Sequence, residues 1–347
     1  MRGFINVFAV GAAISAAALG AAAPVLACAG LIGSNGAVNL GRTTTLAAYS
    51  DGMEHYVTAF KFQGGGGQFG TLIPLPDVPS SVDRGGAWTL QRLIRETEPP
   101  RALRLAASDS LLAAPAPAEV LLQTRVDALD LTVLKGGAPS VAAWATDHGF
   151  RLSPDAPEVL EFYAQRSPIF LAAVFDGEAA AARGQGLGDG TPVHITIPTS
   201  NPWVPLRILG LGRQPTDEIQ ADVFLLTDQL PTMLPGTNKE LGLAHSAQAN
   251  KRLLDDLRAD EGMSWVPESA WLTKVTVNST TANLRYDLAV DATGQGMPSR
   301  VAAGLESPSQ PVPLDGMIPP AAAGAGAMIL MAAPAIARAR RERKPEP

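Results

Sequence analysis

Two uncharged apolar stretches bracket this chain and limit which part of it can fold into a globular core. The first runs from Phe4 to Ala27 behind Arg2; the second runs from Met317 to Ala337. A positive start, an apolar middle and small residues before a cut are the three parts of a secretory signal. Val25-Leu26-Ala27 places the cut before Cys28, so residues 1–27 read as a signal peptide. Ala21-Ala22-Ala23 offers an earlier cut, and an uncleaved N-terminal anchor is the alternative. The second stretch, as a helix rising ~1.5 Å per residue, covers about 30 Å, the thickness of a hydrocarbon core. Arg338, Arg340, Arg341, Arg343 and Lys344 follow it directly. Basic residues stay on the cytoplasmic side, so they form a stop-transfer cluster. The expected topology is a single pass in the cell membrane, N-terminus outside and C-terminus cytoplasmic. Residues 317–337 are then the transmembrane helix and 338–347 the basic tail. Residues 304–316, with three prolines and no apolar period, read as an extended stalk. The bland alternative is a buried Ala-rich helix with a solvated tail.

What lies between is long enough for one large domain or two small ones. The expected extracytoplasmic domain is 28–303, as one body or as two halves near 28–135 and 136–303. From Cys28 to Gly316 there are 21 basic and 31 acidic residues, a net charge of −10. Such a surface disfavours nucleic-acid binding, which needs a basic face. Cys28 is the single cysteine. It permits no intramolecular disulfide and no cysteine-based zinc site. Val25-Leu26-Ala27-Cys28 resembles a bacterial lipobox, which makes Cys28 a lipidation candidate.

The pattern of the middle is β-rich. Strands are expected at Thr43–Tyr49, Glu54–Gln63 and Gln68–Leu75, as a meander of hairpins with a turn at Ser50-Asp51-Gly52. Further strands are expected within Glu119–Leu134 and at Ile169–Phe175, Pro192–Pro198, Leu206–Leu211 and Ala221–Leu226. Trp271–Val277 and Leu284–Val290 read as a hairpin across 278–283. Helices are expected at Gly86–Glu96, Pro139–Asp147, Pro157–Gln165 and Ala247–Asp260. Trp88, Leu90, Leu93 and Ile94 fall on about one face of the first. Strands outnumber helices, and the helices interrupt them irregularly. The expected fold class is α+β, a mostly antiparallel sheet with inserted helices, plus the C-terminal transmembrane helix.

Several segments together resemble a known family. They are Ala27-Cys28-Ala29-Gly30, Thr71-Leu72-Ile73-Pro74-Leu75-Pro76-Asp77-Val78-Pro79 and Trp144-Ala145-Thr146-Asp147-His148-Gly149-Phe150. Phe162-Tyr163 before Pro168-Ile169-Phe170, Pro205-Leu206-Arg207-Ile208 and Asp222-Val223-Phe224-Leu225-Leu226 follow in the same order. Over about residues 28–290 the chain resembles the bacterial "domain of unknown function 2330" family of exported, often membrane-anchored proteins. That family commonly starts Cys-Gly-Gly, where this chain has Cys28-Ala29-Gly30. The resemblance implies topology and a shared domain, and no activity.

The search for chemistry finds no catalytic, cofactor or metal motif. His55, His148, His194 and His245 show no paired helical spacing for a metal. Gly64–Gly67 precedes Gln-Phe-Gly rather than a Lys-Ser/Thr pair, so it reads as a hairpin loop, not a phosphate loop. The Gly184–Gly190 run carries one carboxylate, too few for calcium. Asp255, Asp256, Asp260 and Glu261 read as a solvated helix face. Trp203, Trp265 and Trp271 lie near Pro202, Pro205 and Pro267 and offer either a glycan or peptide surface or plain aromatic packing. The expected role is a membrane-tethered extracytoplasmic domain used for binding or envelope structure. The bilayer is its one named partner, and any protein or glycan partner is unidentified. An envelope hydrolase is the first alternative, with Cys28 as N-terminal nucleophile and Arg42 nearby. An assembly partner of another membrane protein is the second, with Ala321, Gly324 and Gly326 as a helix contact face.

Overall fold

The computed structural model describes residues 30–33, 42–60, 69–97, 119–182 and 191–308. The signal segment, Cys28, both glycine runs, the anchor segment 317–337 and the cluster from Arg338 to Lys344 lie outside these residues. Among the described residues, no helix is long and apolar enough to cross a membrane.

In chain order the first strands are β1 (Gly30–Gly33), β2 (Thr43–Ser50), β3 (Met53–Phe60), β4 (Phe69–Leu75) and β5 (Ser81–Arg84). Helix α1 (Thr89–Thr97) follows, then β6 (Glu119–Val126), β7 (Leu129–Lys135), α2 (Ala138–Asp147) and α3 (Ala156–Ala164). Next come β8 (Ile169–Phe175), α4 (Gly177–Ala182), β9 (Thr191–Pro198) and β10 (Trp203–Val204). The chain continues with β11 (Glu218–Thr227), β12 (Thr232–Leu234), β13 (Leu241–Gln248), α5 (Lys251–Ala259), β14 (Trp271–Thr280) and β15 (Leu288–Asp291).

These strands make a seven-stranded sheet in the order β13-β14-β11-β2-β3-β9-β5. A five-stranded sheet has the order β1-β4-β8-β7-β6, and a small third sheet the order β10-β15-β12. All pairings are antiparallel except β2 with β11. The class is therefore α+β and sheet-dominated, as the patterning indicates.

Successive side chains of a strand point to opposite faces, and here both faces of the central strands are buried. One parity of the large sheet (Ala47, Tyr56, Val193, Ile195, Val223, Leu225, Val275) meets Ile73, Leu131, Val133, Leu171 and Ala173 of the five-stranded sheet. The other parity (Leu46, Val57, Phe224, Leu226, Leu272) is covered by Leu90 and Leu93 of α1 and Leu253, Leu254 and Leu257 of α5. The outer face of the five-stranded sheet (Leu72, Phe170, Ala172) is covered by Val141 and Trp144 of α2 and Leu160 and Tyr163 of α3. The result is a helix–sheet–sheet–helix sandwich, which buries the apolar parity of every central strand.

Several expectations are corrected by this packing. Leu206–Leu211 is not a strand; Arg207–Gly210 forms a 3-10 turn whose Leu206 and Arg207 amides both donate to the buried Asp287 carboxylate. Trp271–Val277 and Leu284–Val290 do not pair: β14 lies between β11 and β13, and β15 joins the small sheet. The meander breaks after β3, because β4 crosses to the five-stranded sheet. The expected Ala247–Asp260 helix starts later, at Lys251, where the Asn250 side chain accepts from the Leu253 amide as an N-cap. The residues ahead of it belong to β13, an edge strand that the periodicity does not reveal. Trp88 lies ahead of α1 and is 40% exposed, so it is not part of the apolar face.

Candidate functional site

Parallel pairing of β2 and β11 brings their carboxyl ends to the same edge, with Tyr49 opposite Thr227. β2 then reverses through Asp51 and Gly52, both at positive φ (52° and 76°), the conformation that two-residue hairpins require. β11 leaves in another direction, through Asp228. The two chains diverge, and a cleft of about 270 Å³ opens between them. Open α/β sheets place ligands at the carboxyl ends of diverging parallel strands for the same geometric reason. The cleft is lined by Tyr49, Ser50, Asp51, Met53, His55, Thr227, Asp228, Trp265 and Pro267, with no Lys or Arg among its described lining.

The loop after α5 delivers Trp265. Met263 and Val266 are buried in the helix-side core on either side of it. Gly262 takes a φ of +79°, and a Cβ there would strike the Arg84 carbonyl, so only glycine lets the loop lie so close to β5. The indole stacks on His55, with ring centroids 4.1 Å apart and planes 4° from parallel. It also lies 5.0 Å from the ring of His194. His55 Nδ1 and His194 Nε2 are 2.9 Å apart, so one imidazole donates to the other. Burial lowers the pKa of His55. Burial and then the charge of His55 lower that of His194 to about 4, against an opposing pull from Asp83. Both rings are neutral near pH 7, and an uncharged donor–acceptor pair suits the packed stack.

On the other face of the sheet, Glu54 is 1% exposed and faces the small sheet. The Trp203 backbone amide donates to its carboxyl, yet burial outweighs that bond and raises its pKa to about 8. Its Oε2 has no hydrogen-bond partner among the described residues. Sequence reasoning missed Glu54, although a signal was present. Strand alternation puts it on the face of Tyr56 and Thr58, where an acid is out of pattern.

The other candidates do not gather. His148 lies over Trp144, with Nδ1 2.8 Å from that residue's carbonyl, and His245 sits at the bulge of β13. Among the described residues no group of three His, Cys, Asp or Glu is placed to hold a metal. Trp203 is buried against Tyr163, and Trp271 donates to Ser246 Oγ, so of the three tryptophans only Trp265 lines the cleft. Asp255 pairs with Lys251 and Asp256 with Arg92, but Asp260 is 4% exposed and turned inward, which corrects the solvated-face reading. Arg42 makes a bidentate pair with Asp222, both bonds 2.6 Å, and Lys274 Nζ lies 3.5 Å from the same carboxylate. In that arrangement Asp222 and Lys274 are buried while Arg42 is exposed; Cys28 lies outside the described residues.

The profile of the bacterial family described as "uncharacterized protein conserved in bacteria (DUF2330)" matches residues 22–229. The chain belongs to this family. The DUF2330 match includes Tyr49, Glu54, His55, His194 and Asp228, while Trp265 and Pro267 lie beyond it. No curated protein matches the chain. Among solved structures, a mutated baculovirus P35 after caspase cleavage is similar at a TM-score of 0.38 and 7% identity, covering 74% of this chain and 98% of that one. The crystal structure of baculovirus P35 is similar at a TM-score of 0.35 and 8% identity, covering 72% and 96%.

Proposed function

We propose that this DUF2330 protein is a membrane-tethered extracytoplasmic domain that binds a small hydroxyl-rich ligand, such as a short glycan, in the Trp265 cleft. The observation that carries the reading is the lining of that cleft. Trp265 forms an aromatic wall, and Asp51, Asp228, Ser50 and Thr227 line the same cleft. An apolar ring with a few convergent acceptors is the composition of a pocket that orients a polar ring ligand. The neutral His55–His194 pair supports the wall from beneath. The tether is supported by the signal-like start and by the apolar stretch 317–337 with its basic tail.

A soluble fragment lacking the two apolar ends, screened against a glycan panel, tests the binding. The expected result is a ligand whose affinity falls at least about tenfold in the Asp51→Asn/Asp228→Asn double variant, as for the loss of charge-assisted hydrogen bonds. A panel without any ligand sensitive to that variant or to Trp265→Ala overturns the binding role. Deletion of 317–347 is expected to release the domain from membranes into the medium. Retention on membranes after that deletion overturns the tether.

A further inference from the structure

The two histidines against Trp265 lie side by side. Their ring centroids are 5.1 Å apart, while each stacks on the indole, at 4.1 Å for His55 and 5.0 Å for His194. Histidines on opposite faces of the indole would stand nearly twice as far from each other. His55 and His194 therefore cover one face and leave the other to the cleft that Trp265 lines. Among the described residues, no Lys or Arg lies over that ring.

Asp51 and Asp228 line the same cleft. Tyr49 pairs with Thr227 in the parallel ladder, and the two acids follow two and one residues later. Both are exposed, and among the described residues neither forms an ion pair or a side-chain hydrogen bond. By contrast Asp130, Asp222, Asp256 and Asp287 each meet an arginine. Burial first, then the charges of Glu54 and Asp291, raise the pKa of the Tyr49 phenol on the cleft wall. The cleft is thus an aromatic wall beside uncompensated negative charge.

We infer that the ring ligand of this cleft carries a positive charge, as an amino sugar does, and that its ammonium meets Asp51 and Asp228 while its ring lies on the open face of Trp265. The inference rests on the glycan reading above and adds the charge. A ligand that fills the cleft strips water from both carboxylates. Hydroxyl donors restore hydrogen bonds but leave the charge uncompensated, whereas an ammonium supplies both. An indole face also attracts a cation through its quadrupole. The cleft holds about 270 Å³, below the ~300 Å³ at which drug-sized pockets begin, so it suits one ring rather than a chain. An acetylated amine has no charge and gains neither contact.

Titration of the full-length chain, in a polyoxyethylene detergent that carries no sugar, tests this. The probes are methyl glucosaminide, its N-acetyl derivative and methyl glucoside at pH 6, where the free amine is protonated. The expected result is an affinity about tenfold higher for the amine than for either neutral sugar, and an advantage that shrinks as salt is raised. The Asp51→Asn/Asp228→Asn double variant should bring the preference close to one. Glu119→Gln, an exposed acid of the five-stranded sheet, should leave it unchanged. Neutral sugars that bind as tightly as the amine overturn this inference and leave the glycan reading standing. A preference that survives in the double variant, or falls equally in Glu119→Gln, overturns it too. Failure of all three sugars to bind overturns the glycan reading, and this inference with it.

Discussion

His55 and His194 share a single hydrogen bond, Nδ1 to Nε2 at 2.9 Å, against the indole of Trp265. Two neutral imidazoles can share a proton in this way; two imidazolium rings cannot, because each then only donates. The stack that walls the cleft therefore depends on pH. Its contribution is opposed by Glu54 on the other face of the same strand.

His194 falls from an ordinary 6.5 to about 4 in the fold, so its contribution is complete above 6.5 and is lost as pH falls toward 4. Glu54 rises from 4.5 to about 8, so its contribution is complete below 4.5 and is lost as pH rises through 8. Between about 4.5 and 6.5 the two slopes cancel. We expect the urea midpoint to vary little across that window through these two groups, and to fall between pH 6.5 and 8. In Glu54→Gln the fall should shift to the acid side, below pH 6.5. A variant that keeps the wild-type profile contradicts the assignment.

Glu54→Gln should also stabilise the protein in alkali. The amide keeps an acceptor for the Trp203 backbone amide and carries no charge to bury. The gain over wild type at pH 9 is expected to approach ~5 kcal/mol, from a shift of about 3.5 pH units at ~1.4 kcal/mol each. At pH 4.5 the two proteins should unfold at similar urea concentrations. Equal stability at pH 9 would show that Glu54 is solvated.

Asp260 ties α5 to the start of α1. Its carboxylate accepts from the Ala87 amide (3.1 Å), the Trp88 amide (2.9 Å) and Thr89 Oγ1 (2.9 Å). An acid at a helix N-terminus satisfies amides that the helix leaves open. Asp260→Ala is expected to destabilise by about 2–4 kcal/mol, and Asp260→Asn by less. Hydrogen exchange in α1 should rise more than in the β sheets. A uniform change across the domain would argue against a local cap.

Asp287 anchors the small sheet. It is 0% exposed and accepts from Tyr163 Oη (2.8 Å) and Arg166 (2.5 Å), as well as from the Leu206 and Arg207 amides. Arg166 is itself held over the ring of Phe162 and beside that of Trp203. Asp287→Ala leaves a buried guanidinium unpaired and is expected to cost about 3–5 kcal/mol. Arg166→Met in that background should recover part of the loss. Strict additivity of the two changes in thermal unfolding would contradict the pairing.

The parts of the fold legible in the sequence are those with a local cause. The Thr43–Tyr49 and Glu54–Phe60 strands alternate, and Asp51-Gly52 supplies the positive φ their hairpin needs. Helices α2 and α3 start at prolines close to the expected positions. Leu206–Leu211 misled because an apolar run looks alike in a strand and in a buried 3-10 turn. The β13 edge strand was missed because its residues, most of them only partly buried, carry little period. The site was half visible. His55, His194 and Trp265 were each singled out, but nothing in their spacing joins them, and Glu54 passed as an ordinary strand acid.

Local spacing of apolar and turn residues determined the sheet-rich class, the first hairpin and the acidic, single-cysteine character of the domain. Those properties act between neighbours a few residues apart, and the order of residues alone carries them. Only the tertiary structure decided that β2 runs parallel to β11, that Trp265 covers His55, and that Glu54 is buried on the Trp203 amide. These relationships join distant stretches of chain, and they arise from how two sheets and two helix layers share one core, which no local pattern encodes.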